Sequence, residues 1–572
     1  MTSTHNVTFA TDADADTDTE AELDTAIGEL TRGAQRWAVM GLTERITLLE
    51  RTRRTIAGAA DAWVAAAVAA KGISPGPLAG EEWMSGPYAT LSGFAAVIGS
   101  LKKIDAGKSP AHGLKSRVGP GKRTAIATFP GNIFERNLFN GFSGEVWLTP
   151  GVSAGEARRT AGLGAKRHGE NGGVGLVLGA GNIAAIGPLD VLYELIACNR
   201  VSVLKLNPTF AGLTAAYEAA FAPLINANLL RIVNGGAEVG QYLTAHPGIA
   251  HVHITGSAAT HDMIVWGSRT EKSGAPKLDK PITSELGGVS PIIVVPGTWD
   301  QADLRYQAEH VATQRFHNGG HNCIGGQVLI VSADWPQKDA FLAEIRRVVW
   351  ALPGRASWYP GTDNKVAAAE AAYPDAEHIN GRILVKVDGS TSEEALTTEY
   401  FGPVLAYTAL PGIELEYLHE AIDFCNEKLD GTLGASIIVA PPDREGMGSA
   451  FDEAIADLRY GTIGINVWSA IGFLVPSLSW GAYPGNTLSD VGSGIGIVHN
   501  AHLLTNVERS IVTGPFRPFP RSIVGGEIAL SPKPAWFVTA RSAKDTAERL
   551  TRFSAKPGWA KLPGIFNQAF RA

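Results

Sequence analysis

Cys323 stands in "FHNGGHNCIGGQV" (residues 316–328), among glycines, histidines and asparagines and just ahead of the apolar run "VLIV". A thiol is a useful nucleophile only as its thiolate. A polar, glycine-rich loop supplies donors that favour that form better than an apolar wall does. Glycines on both sides also leave backbone N–H groups able to converge on an oxyanion. No second cysteine stands at ligand spacing, so the loop does not read as a metal site. Taken alone, such a cysteine is more often incidental than catalytic. Upstream, Glu285 in "ITSELGGVSPIIVV" (residues 282–295) precedes two glycines and a strongly apolar strand. A carboxylate beside a sharp turn at a sheet suits a general base. A turn residue or an ion-pair partner is the plainer alternative.

Two further stretches carry chemistry. In "VLGAGNIAAIGPLDVLYELIACNRVSVLKLNP", Asn182 falls where a strand leaves for a helix. Its side chain can cap that helix, or its amide can donate to an oxyanion. Lys205 ends the next strand, and a cation at a strand's carboxyl end can meet a nucleotide. In "TTEYFGPVLAYTAL", Glu399 lies next to Phe401, Gly402 and Pro403.

These residues need a scaffold, and the pattern around them describes one. From Leu23 to about Leu101, apolar residues recur at three- and four-residue steps with arginines on the opposite face, which predicts helices. Residues 174–300 alternate short apolar strands ("VGLVLG", "VSVLKL", "LRIVN", "HVHIT", "PIIVV") with helical stretches such as "LDVLYELIA" and "LTAAYEAAFAPLI". Alternation of this kind predicts a parallel sheet with helices on both faces. A second α/β region runs from Asp300 to about Val467. Between Gly107 and Gly173, glycine, proline and short β-rich pieces ("TAIATF", "EVWL") suggest an arm leaving the compact core. The last hundred residues are rich in glycine and proline.

Composition narrows the partners. At 572 residues the chain is too long for one core, and it is 45% hydrophobic and 18% charged with a net charge of -7. No basic stripe is available to neutralise phosphates, so nucleic acid is not expected as a partner. Three cysteines far apart in sequence fit a reducing compartment better than a disulfide framework, and no metal site is expected. The polar, acidic N-terminus lacks a secretory pattern and reads as a tail; no stretch is apolar for long enough to span a membrane. A cytoplasmic enzyme is the expectation.

In order and spacing, Asn182, Lys205, "TGS" at Thr255–Ser257, "ELGG" at Glu285–Gly288, Cys323 and "EYFGP" at Glu399–Pro403 resemble the motifs of the aldehyde dehydrogenase superfamily. The likeness extends from "RWAVMGLTERITLLE" to "WGAYPGNTLSDVGSGIGIVHN". The resemblance implies an α/β fold: a Rossmann-type cofactor domain (23–106 and 173–286), an α/β catalytic domain (287–499), and a small β oligomerisation arm with a C-terminal extension (107–172 and 500–572). Residues 1–22 would be a disordered tail. It further implies a small-molecule aldehyde as substrate, NAD as cofactor with NADP tolerated, and a homodimer or homotetramer built through the arm. Cys323 would be the nucleophile, Asn182 an oxyanion donor and Glu285 the base. Lys205, Gly256, Ser257, Gly287, Glu399 and Phe401 would hold the dinucleotide.

The chain departs from the family pattern in four places. "GAGN" replaces the usual Pro-Trp-Asn, so a roomier wall is expected around Ala180 and Gly181. Pro208 stands where a ribose-binding glutamate is common, which removes a repulsion against NADP. His261 replaces a glycine after the Gly-Ser turn. The chain is also longer than usual, in the 107–172 segment and beyond Asn500. A relative that passes its acyl group to coenzyme A is the main alternative, although such proteins typically lack the glutamate of "ELGG". A non-catalytic nucleotide-binding relative is a more distant one. Trp468, Phe473 and Trp480 suggest an apolar or aromatic pocket, and aromatics at that density are as often core.

Overall fold

The computed structural model describes residues 17–269, 271–272, 274–389 and 393–572. Residues 1–16 of the expected tail lie outside the described residues. The rest of that segment is not tail: Thr19 caps a helix over Glu20–Val39, its hydroxyl accepting from Glu22 N while the Glu22 carboxylate accepts from Thr19 N at 2.8 Å. The sequence "TEAE" carries this reciprocal cap, and the first-turn glutamates complement the helix dipole.

Two sheets organise the chain. The first has six strands in the order Gly494–Ile495, Ile282–Leu286, Ile249–Gly256, Val174–Leu178, Val201–Lys205 and Leu230–Val233. Five run parallel, and the short Gly494–Ile495 strand pairs antiparallel at one edge. Helices Glu20–Val39, Leu42–Ala70, Ala89–Asp105, Ile186–Ala197 and Thr214–Asn226 pack their apolar faces into one core with it. This is the expected βα alternation, legible because a parallel strand buried on both faces needs an unbroken apolar run.

The second sheet has eleven strands, from Lys115–Val118 at one edge through Thr124–Phe129, Ser143–Leu148, Val507–Thr513, Thr462–Ile465, Gly434–Ile438, Ser290–Val294, Gly326–Ser332, Val404–Leu410 and Arg382–Lys386 to Glu377–Ile379. Its centre is parallel. Here residues 107–172 meet the C-terminal segment with which the resemblance groups them, but they extend this sheet within the chain rather than project from it. Ser143–Leu148 pairs antiparallel with Val507–Thr513, which lies parallel beside Thr462–Ile465 of the same chain. The strands form where the sequence puts them, but their edge is satisfied within the chain, since an unpaired strand edge pairs with the nearest free one.

Beyond Thr513 the chain folds back over this sheet. Arg517 grips Asp303 with two nitrogens (2.9 and 2.8 Å), and Gln307 Nε2 donates to Phe516 O at 2.7 Å. Phe537 stacks on Tyr306 and His310. All four contact residues on the sheet side belong to the helix Gln301–Phe316, which leads directly into the Cys323 loop.

Candidate active site

Glu285 and Cys323 arrive from different sheets. Glu285 is near the carboxyl end of Ile282–Leu286 in the six-stranded sheet, and Cys323 lies in the loop ahead of Gly326–Ser332 in the eleven-stranded one. They meet where the two sheets abut, with Cys323 Sγ 3.1 Å from Glu285 Oε1. Glu285 is buried and Cys323 half-buried. Burial pushes the Glu285 carboxyl above its ordinary range, the Cys323 thiol pulls it back, and Asp190 adds to the rise. Burial and then the Glu285 charge push the Cys323 thiol well above 9. The thiol is therefore the proton donor in this pair.

Asn182 is buried after the strand Val174–Leu178, and its amide donates to His321 O at 3.2 Å. Asn318, with φ at 56°, donates to Asn182 O (3.0 Å) and to His321 O (2.8 Å). Asparagine tolerates the left-handed region better than other non-glycine residues. Two hydrogen bonds thus fasten the Asn182 turn to the cysteine loop. Asn318 is itself held by buried charge: Lys71 Nζ donates to its Oδ1 at 3.1 Å and to Glu82 Oε1 at 2.7 Å. Arg355 pairs with Glu81 at 2.6 Å, and Glu81 accepts from Asn318 N at 3.2 Å. Arg315, fully buried, donates to Gly325 O at 3.1 Å and also to Gly402 O, tying the cysteine loop to the "EYFGP" segment.

A cleft of about 1130 Å³ runs from this junction along the carboxyl ends of the six-stranded sheet. Asn182, Lys205, Gly256, Ser257, Glu285, Gly287, Cys323, Glu399 and Phe401 all line it. The structure brings together every site residue read from the sequence. Ser257 caps the helix Ala258–Trp266 by accepting from Thr260 N at 3.2 Å, so that helix N-terminus opens onto the cleft. Lys205 is nearly buried, and burial lowers its pKa against the opposing pull of Glu238. Glu399 is held up to about 7 by burial, with Lys365 and Arg315 acting to lower it. Its Oε1 is buried without a hydrogen-bond partner. A Cβ on Gly287 would overlap the Glu399 carboxylate, so glycine there makes room for it. An orphaned carboxylate oxygen, a buried cation and an open helix N-terminus in one long cleft fit a dinucleotide.

Gly181 lines the cleft with Ala180, yet its Cβ position is packed: a Cβ there would strike Asn207 and Thr209, and Thr209 Oγ1 donates to Gly181 O at 2.8 Å. Pro208 does not line the cleft; it opens the turn Pro208–Leu213 that Asn207 caps. His261 is fully buried with Nδ1 3.2 Å from Asp262 Oδ1, and it too stays out of the cleft. Of the other cysteines, Cys198 caps the C-terminus of Ile186–Ala197 and Cys425 is buried within Glu414–Lys428; burial raises both thiols.

The sequence model of the aldehyde dehydrogenase family matches residues 170–364, a span holding Asn182, Lys205, Ser257, Glu285 and Cys323. Over that span the chain is similar to the aldehyde dehydrogenase family. N-succinylglutamate 5-semialdehyde dehydrogenase of Sphingopyxis alaskensis is 28% identical over 326 residues, which cover 53% of this chain and 63% of that protein. The chain thus spans less than two thirds of that relative's length. Among solved structures, aldehyde dehydrogenase of Mycobacterium tuberculosis complexed with NAD+ has a TM-score of 0.59 at 19% identity, over 87% of this chain and 91% of that one. Gamma-glutamyl-gamma-aminobutyraldehyde dehydrogenase of Burkholderia cenocepacia has a TM-score of 0.57 at 19% identity, over 87% and 89%. These likenesses establish a shared aldehyde dehydrogenase fold.

Sequence reasoning missed Asn318, Arg315, the Lys71–Glu82 and Arg355–Glu81 pairs, and Glu238. Asn318 had a local signal, since an asparagine before two glycines favours positive φ. The charged residues had none: a paired charge looks like a solvated one until its partners are known. Among the described residues no group of His, Cys, Asp and Glu could hold a metal ion, and no helix is long and apolar enough to cross a membrane.

Proposed function

We propose that this protein oxidises an aldehyde to the carboxylic acid with NAD(P)+ through a covalent cysteine intermediate. The observation that carries the reading is the 3.1 Å approach of the Cys323 thiol to Glu285 at the head of the dinucleotide-sized cleft. Cys323 attacks the aldehyde carbon, its proton passing to Glu285, and the second N–H of the Asn182 amide joins the Cys323 backbone N–H on the thiohemiacetal oxyanion. NAD(P)+, when bound, supplies the acceptor for the hydride that leaves this carbon. Glu285 sheds its first proton and then takes one from the water that attacks the thioester, releasing the acid and restoring the thiol. Lys205 and Glu399 hold the two riboses, Gly256 and Ser257 with the helix N-terminus hold the pyrophosphate, Gly287 keeps the Glu399 position open, and Phe401 flanks the nicotinamide end.

Transfer to coenzyme A is the competing fate of the thioester. The retained Glu285, already on the sulfur, favours water. Aldehyde-dependent formation of NADH or NADPH, with and without coenzyme A, tests the reading: turnover that needs coenzyme A reassigns the acceptor, and no turnover with any aldehyde defeats it. The homodimer or homotetramer implied by the family would form through surfaces other than the Ser143–Leu148 and Val507–Thr513 pairing, which is used within the chain. Light scattering at micromolar concentration reads that state directly.

A further inference from the structure

A second cavity, of about 70 Å³, meets the cleft at Cys323 and Glu285. Met84, Ile183, Trp468, Phe473 and Trp480 line it, together with Trp536 from the chain beyond Thr513. The aromatic stretch 468–480 therefore does both things that its sequence left open: it packs as a cluster and it walls a cavity. A space of this size holds on the order of five water-sized groups. No lysine or arginine lines it. The cations whose charge acts on His317 in its wall, Arg355 and Lys71, are already paired with Glu81 and Glu82. His317, the one imidazole in the wall, is buried with Nδ1 unpartnered, and burial lowers its pKa, so it presents a neutral ring. The ionisable neighbours at the mouth, Glu285 and Cys323, are acidic groups. A substrate carboxylate would lose its hydration here and find no cation in return.

Building on the aldehyde-oxidising reading, we propose that this cavity is the aldehyde pocket, that it selects short, uncharged, apolar aldehydes, and that Trp536 of the C-terminal extension sets its length. The relative whose name carries a succinylglutamate semialdehyde would then differ from this chain in substrate charge.

The test is a matched pair, butanal and succinic semialdehyde, which share a four-carbon chain and differ by a terminal carboxylate. Two readouts are taken on the full-length wild type: kcat/KM with NAD+, and protection of Cys323 against iodoacetamide, followed by the mass of its peptide. Butanal is expected to protect Cys323 and to be turned over at least about a hundredfold better. Equal or better protection by succinic semialdehyde, or protection by neither, overturns the pocket. Protection in the expected rank without reduced cofactor leaves the pocket standing and removes the oxidation reading instead. In Trp536→Ala the octanal-to-butanal ratio of kcat/KM should rise about tenfold, because the cavity lengthens. An unchanged ratio in a folded variant overturns the role of Trp536.

Discussion

The Sγ of Cys323 and the Oε1 of Glu285 lie 3.1 Å apart, with the carboxyl group buried and the thiol pKa pushed up by burial and then by that carboxylate. One carboxylate thus faces the sulfur before it ever meets a water. Glu285→Gln should consequently separate two observables that usually move together. Removing the negative charge lowers the thiol pKa, so the midpoint of the pH profile for Cys323 alkylation should shift to lower pH. Removing the proton acceptor slows both acylation and hydrolysis, so burst rate and steady rate should each fall on the order of a hundredfold. Stopped-flow cofactor reduction checks the second part. A full burst rate with loss of steady turnover alone would confine Glu285 to hydrolysis. Cys323→Ala should abolish turnover with dinucleotide binding retained, whereas Cys198→Ser and Cys425→Ser should keep the chemistry.

Glu399 offers a pH signature in the physiological range. Its folded pKa of about 7 exceeds its ordinary value because burial disfavours the charge. The group is neutral below that value and ionised above it, and the ionised form is the stronger acceptor for ribose hydroxyls. The KM for NAD+ should therefore fall as pH rises through about 7, and the dependence should vanish in Glu399→Gln. Gly287→Ala should weaken dinucleotide binding in the same way, since the added methyl overlaps the carboxylate. Alkylation of Cys323 in that variant should proceed as in the wild type if the damage is local.

Lys71 and Glu82 form an ion pair with neither side chain reaching solvent. Breaking one partner of such a pair typically costs about 3–5 kcal/mol, because the other charge stays buried alone. Lys71→Met should lose stability of that order in urea unfolding, and Lys71→Met with Glu82→Leu should recover much of it. Lys71 also holds Asn318, which fastens the cysteine loop to Asn182. The double variant should therefore stay slow in the burst phase even where its stability returns. Recovery of both would reduce the pair to a packing feature.

How much of this was legible beforehand differs from element to element. The strands 174–294 were readable because burial on both faces demands continuous apolar runs, and the helix Leu42–Ala70 because its apolar stripe has a helical period. The motif residues were readable because their order constrains them jointly. The pairing of Ser143–Leu148 with Val507–Thr513 was readable only through the family resemblance, which groups 107–172 with 500–572, since nothing local in either strand names a partner some 360 residues away. The Asn318 and Trp536 roles were hidden for the same reason: each depends on what the fold brings alongside, not on its own neighbours.

The choice of dinucleotide turns on such a hidden neighbour. Pro208 removes the glutamate expected after Lys205, and on sequence alone that leaves NADP unopposed. The structure supplies another carboxylate. Glu238 follows Gly236 and Ala237, two residues of the cleft wall, and its Oε1 accepts from Gly236 N at 2.7 Å. Hydrogen bonds from its own backbone N–H and from Gly236 N hold its pKa down, so the group is ionised at neutral pH, and its charge reaches Lys205. A fixed negative charge there opposes the additional phosphate of NADP, while Lys205 alone would welcome it. Glu238→Gln should accordingly raise the NADP-to-NAD ratio of kcat/KM, by about tenfold, and the shift should shrink as ionic strength rises because the site is open to solvent. Pro208→Glu should change the ratio far less, since Pro208 stays out of the cleft and Glu238 already supplies the charge. If Glu238→Gln leaves the ratio unmoved while Pro208→Glu shifts it strongly, the ribose lies nearer the Pro208 turn and Glu238 is a helix-terminus residue only.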